Sequence, residues 1–88
     1  MSQIIKASAV QVNQFIAIDF GDTIGIQWAK VEQVELNKTE FEPVVICVRT
    51  SKRFGSRYFE EFLVHDQLVA VESPAEFQAF LKLYNLEF

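Results

Sequence analysis

The sequence predicts an α+β domain: a strongly bent antiparallel sheet, or a small barrel, of about six to seven short strands capped by one C-terminal helix. Three observations carry that prediction. Short apolar and β-branched runs recur between polar turns over residues 4–71. The last sixteen residues instead place apolar side chains at helical spacing. Finally, 88 residues, 50% of them hydrophobic, suffice for a single small domain, 1–88, with no room for a second core.

Ile4 to Val12 puts Ile4, Val10 and Val12 on one parity and Ile5, Ala7 and Ala9 on the other, as in a strand with two partly covered faces. Asn13-Gln14 is a polar break. Phe15 to Phe20 follows as a strand of aromatic and β-branched residues, and Gly21-Asp22 supplies tight-turn residue types. Thr23 to Trp28 continues the hairpin, with Ile24, Ile26 and Trp28 on one side. The period then slips between Ala29 and Leu36. Trp28, Val31 and Val34 suit helical turns, whereas Val34 and Leu36 suit a strand, and a bulge near Ala29-Lys30 reconciles the spacing with a strand.

After a polar turn, Asn37 to Glu40, and then Pro43, the run Val44 to Thr50 reads as a central strand covered on both sides. Ser51 to Ser56 is a hairpin loop in which Gly55 can take a positive φ. Residues 57–71 admit two readings. As strands, Tyr58, Phe62 and Val64 share a face, and His65-Asp66-Gln67 turns the chain into Leu68 to Val71. As a helix behind Ser56, Tyr58, Phe59, Phe62, Leu63 and Asp66 make a stripe. The β-branched Val69 and Val71 and the short distance from Gly55 favour a hairpin.

The terminal helix has a legible start, with Ser73 as N-cap, Pro74 at the first helical position and Glu76 as the capping-box acid. Phe77, Phe80, Leu81 and Tyr84 then stack on one face. This helix is expected to lie across the curved sheet and seal its apolar interior.

The strand-rich run through Trp28 and Val31 to Leu36, the strand Val44 to Thr50, and Leu68-Val69-Ala70-Val71-Glu72-Ser73-Pro74 leading into the helix together resemble the bacterial pleckstrin-homology-like (PH-like) domains. The resemblance covers about Phe15 to Tyr84 and is one of pattern. It implies a binding or scaffolding module without catalysis. Family members that hold phosphorylated lipids use basic residues between the first two strands. Here that loop is Val12-Asn13-Gln14, without Lys or Arg, so lipid binding does not carry over. The helix Trp of the eukaryotic family is also missing, since Trp28 stands in a strand.

A net charge of −4 and a pI near 4.8 argue against a nucleic-acid binder. The single cysteine, Cys47, excludes an intramolecular disulfide framework and reads as core packing. Met1 to Val12 lacks the shape of a signal peptide, and apolar runs of about five residues fall short of the ~20 that span a bilayer. A soluble cytoplasmic protein is expected.

No residue set points to catalysis, a cofactor or a metal. His65 is the sole histidine, and a Cys47/His65 pair needs strand pairing to meet. Asp19 and Asp22 fall short of a full cation shell. Glu60 and Glu61 are adjacent, so in a strand they point apart and cannot work as an acid/base pair. The chain carries none of the glycine-rich phosphate motifs and no nucleophile elbow.

Interaction surfaces are better supported. Residues 49–57 hold four bases and no acid, and Lys52, Arg53, Phe54 and Arg57 interleave charge with an aromatic, a pattern that can clamp a phosphorylated ligand. Leu83, Leu86 and Phe88 lie off the helix core stripe and offer a docking face. The twelve aromatics, at roughly 150–250 Å² each, exceed what one small core hides. The expected function is thus a non-enzymatic protein-interaction or scaffolding domain that self-associates, as a homodimer or with a protein partner. The alternative rests on the acid run Glu32, Glu35, Glu40 and Glu42: an acidic inhibitor or mobile-element protein, bacterial or phage, that blocks a nucleic-acid-binding surface on a larger partner.

Overall fold

The computed structural model describes residues 2–35 and 43–88. The turn expected at Asn37 to Glu40 and the acids Glu40 and Glu42 lie outside the described residues. Among those described, six strands run β1 (Gln3–Lys6), β2 (Phe15–Asp19), β3 (Ile26–Glu35), β4 (Val44–Arg49), β5 (Tyr58–Leu63) and β6 (Leu68–Glu72), followed by the helix α1 (Pro74–Leu83). They form one antiparallel sheet in the order β1-β6-β2-β3-β4-β5. The sheet stays open, with β1 and β5 at its edges. It is nonetheless strongly bent: Phe20, just past β2, meets Phe59 of β5 at 5.3 Å although two strands separate them in the sheet.

Several local expectations shift. The first strand ends at Lys6, and Ala7–Ala9 forms a 3-10 turn that buries Ala7. The alternation through Val12 therefore does not continue as strand. Residues 23–25 belong to the turn, because Gly25 sits at φ 77° and its carbonyl accepts the Phe20 N–H at 3.0 Å. That left-handed conformation suits glycine and stops the strand from starting before Ile26. The β3 bulge lies between Val31 and Gln33, where Glu32 is the extra residue, rather than at Ala29-Lys30. It turns Ala29, Val31 and Val34 to one face, which explains the slipping period.

Residues 57–71 are two strands, as favoured, but they do not form a hairpin. β5 pairs with β4, while β6 crosses over to pair with β1 and β2. The N-terminal segment fastens the intervening turn, with the Ala7 N–H donating to the Gln67 carbonyl at 2.8 Å and the Ser8 N–H to that of His65 at 3.2 Å.

Two apolar clusters lie on opposite faces of the sheet. The larger contains Ile16, Ala29, Val31, Val44, Ile46, Val48, Leu63 and Val71, on the face around which the sheet curls. The smaller contains Phe15, Phe77 and Leu81, with Trp28 and Phe88 packed against them. Phe15 and Ile16 are neighbours in β2 and so point to opposite faces. Here the expectation for the helix is corrected: α1 covers the sheet, but on the face opposite the larger cluster, whose buried members include no residue of α1.

Ser73 caps α1 as expected, its Oγ accepting the Glu76 N–H at 3.2 Å, with Pro74 in the first turn. The buried stripe narrows to Phe77 and Leu81, while Phe80 and Tyr84 face solvent. The helix closes in a Schellman turn. Asn85 takes φ 54°, Leu86 N–H donates to the Leu81 carbonyl at 2.8 Å, and Asn85 N–H to that of Lys82 at 3.3 Å. This reversal sends the tail back over the sheet. No helix of the described residues is long and apolar enough to cross a membrane.

Candidate functional site

The site is built on one cross-strand row. The pairings align Phe15, Lys30, Arg49 and Tyr58 across β2 to β5, so all four point to the face that carries α1. At one end of the row Phe15 stacks on Phe77, centroids 4.0 Å apart. Next to it stand the two cations. The Arg49 guanidinium is held by Glu32 at 2.7 Å and lies 5.6 Å from the centre of the Tyr58 ring. With both groups half-exposed, that ion pair orients Arg49 more than it stabilises the fold.

Two further segments close around the row. The loop after β4 is pinned by buried Thr50, whose Oγ1 and N–H bond the Arg57 N–H and carbonyl, each at 2.9 Å. Its reversal at Gly55, φ 86°, uses the left-handed conformation expected there. Lys52 thereby faces the last turns of α1. On the other side the Schellman turn brings Phe88 edge-on to Phe15 at 5.0 Å and to Phe77 at 5.6 Å. Between them opens a cleft of about 740 Å³ that Lys30, Arg49, Lys52 and Lys82 line from three directions. Among the described residues, four Lys and Arg side chains thus border one cavity, against Glu87 alone of the acids. In a chain of net charge −4 that is a strong local inversion.

The predicted basic residues divide. Lys52 lines the cleft, whereas Arg53, Phe54 and Arg57 do not border it. Arg53 instead lies 5.8 Å from the centre of the Phe54 ring, and Arg57 is exposed. Of the predicted apolar docking residues, Leu86 borders the cleft and Leu83 stands 77% exposed outside it. Phe88 is corrected: it packs in the aromatic cluster rather than offering a free face. Sequence reasoning missed Lys30 and Lys82, which no local motif joins to Arg49 and Lys52. The αL-prone Asn85 was the available signal that the tail folds back.

The acid run is only partly visible. Glu32 is engaged by Arg49, and Glu35 is exposed at the end of β3. Cys47 is corrected as well. It points away from the larger cluster, half-buried, so β4 is fully covered on one face only. It borders a smaller cleft of about 350 Å³ with Glu32, Gln33, Tyr58, Phe59 and Glu60, from which His65 is absent. Among the described residues no group of three or more His, Cys, Asp or Glu stands together to hold a metal ion.

Glu61 lies on the curled face of β5, opposite Ile46, and its partial burial raises its carboxyl above the ordinary range by desolvation. A raised folded-state pKa means the favourable contribution is complete below the unfolded-state value and is lost as pH rises through the folded-state value. Glu61→Gln is therefore expected to melt above the wild type at pH 7, with the gap closing on acidification through the carboxylate range. Melting temperatures taken every half pH unit check this; two parallel profiles would refute it.

The chain matches no protein-family model, no curated protein and no solved structure.

Proposed function

We propose that this protein is a non-enzymatic interaction domain that self-associates through the exposed flank of β4 and β5. The observation that carries this reading is that Tyr58 and Phe62, 66% and 62% exposed, stand on the outward face of an edge strand. An edge strand presents unpaired N–H and C=O groups, and two such edges can extend one sheet into another. Antiparallel pairing of two β5 strands about a two-fold axis at Glu60 sets Tyr58 of each copy opposite Phe62 of the other. Aromatic cross-strand pairs of that kind favour association, while the facing Glu60 carboxylates oppose it until salt screens them. The pattern resemblance to PH-like domains implies the same kind of role. We place the protein in the cytoplasm, where the unpaired thiol of Cys47 stays reduced.

Sedimentation equilibrium from micromolar to millimolar protein tests the reading. The wild type is expected to populate dimers, more so at higher salt. Phe62→Lys should sediment as a monomer with an unchanged circular dichroism spectrum, since its side chain leaves the larger cluster untouched. A wild type that stays strictly monomeric throughout would end the proposal.

A further inference from the structure

We infer that the cleft between α1, the tail and the loop after β4 binds a phosphorylated small molecule or head group, with Lys30, Arg49, Lys52 and Lys82 as its anion-binding residues. This goes beyond self-association, which uses Tyr58 and Phe62 at the β5 edge, outside the cleft lining. Four features of the same cavity support it. Lys30, Lys52 and Lys82 have no ion pair with any described residue, and Glu87 is the one acid among the described residues that borders the cleft, so positive charge outweighs negative there. Such convergence disfavours the empty cleft and favours an anion. Arg49, by contrast, is pre-oriented through Glu32, which leaves further guanidinium N–H groups for an acceptor.

The volume, about 740 Å³, falls in the range of small-molecule sites. The wall supplies the second half of the chemistry. Phe15, Leu81, Leu86 and Phe88 present apolar surface beside the cations, so the occupant should carry an apolar or aromatic body next to its charge. A carboxylate offers two oxygens and one charge. A phosphate monoester offers three oxygens and about two charges, and a polyphosphate more of both, which suits four cations reaching in from three sides.

Calorimetric titration of the full chain tests this with pyrophosphate, ATP, and phosphatidylcholine vesicles with and without phosphatidylinositol bisphosphate. Binding of the soluble phosphates, weakening as salt is raised, is the expected result. Lys30→Gln and Lys82→Gln should each reduce affinity about tenfold, the effect of losing one charge-assisted hydrogen bond. Arg53→Gln and Arg57→Gln, equal in charge but outside the cleft, should leave it unchanged. Circular dichroism and melting temperature establish that each variant is folded. Capture only by the bisphosphate vesicles, with the same dependence on Lys30 and Lys82, assigns the phosphate to a lipid head group. Absence of binding to every probe at millimolar concentration overturns the inference. Equal weakening by Arg53→Gln does so too, because it would reduce the effect to diffuse charge.

Discussion

Phe77→Ala is expected to cost about 3–5 kcal/mol at the helix–sheet interface and to release α1 while leaving the sheet standing. Phe77 is 3% exposed and touches nearly every member of its cluster: Phe15 stacked at 4.0 Å, Phe88 edge-on at 5.6 Å and Trp28 tilted at 6.0 Å. Removing the ring leaves a cavity that Leu81 alone cannot fill, and aromatic pair energies vanish with it. A small domain has only about 5–15 kcal/mol in total, so a loss of this size exceeds what holds one ten-residue helix in place. The larger cluster lies on the other face and loses nothing directly. Native-state amide exchange should therefore show α1 and the tail unprotected while β2, β3 and β4 keep slow amides. A uniform fall in protection across all elements would mean that the two faces unfold as one unit. Because Lys82 and Phe88 ride on the same segment, the phosphate binding inferred for the cleft should also be lost in this variant.

Ile46→Ala should behave differently, lowering stability by about 2–5 kcal/mol through global unfolding. Ile46 is fully buried at the middle of β4, opposite Val34 of β3 and Glu61 of β5. No loop or tail can collapse into the space it vacates, since hydrogen-bonded strands flank it on both sides. Such a site pays both the lost burial and the residual cavity. Urea denaturation should give a lower midpoint with an unchanged slope, and amide protection should fall in β2 to β5 together. A reduction confined to α1 would contradict the assignment of two clusters. Comparing the two variants separates the helix interface from the sheet core.

Much of the fold was readable because local chemistry dictates it. The Ser73-Pro74-x-Glu76 start specifies a helix whatever it packs on, and the observed Ser73 cap follows. The β-branched runs at residues 44–49 and 68–72 are strands for the same reason. Misreadings fell where a single dihedral or bulge changes which side a residue faces. Gly25 delayed β3, and Glu32, inserted as a bulge, moved the change of face two or three residues along. The hairpin expected over 57–71 failed because strand proximity in sequence does not decide pairing when a four-residue turn can span the curled sheet.

The candidate site was legible only in part. Lys52 and Arg49 were visible as members of a basic run, but Lys30 and Lys82 lie in segments with no basic pattern. Their convergence depends on the register of β3 with β4 and on the direction in which α1 crosses the sheet. Neither is encoded by near neighbours in the chain.

By itself the sequence determined one small β-rich domain with a capped terminal helix and more aromatic surface than one core requires. Those properties follow from side-chain chemistry and short-range backbone preference. Only the tertiary structure decided that the helix lies opposite the curled core, that Phe88 turns inward, and that four cations border one cavity. The physical reason is that these are outcomes of long-range pairing and packing, where the free energy belongs to contacts between residues distant in the chain.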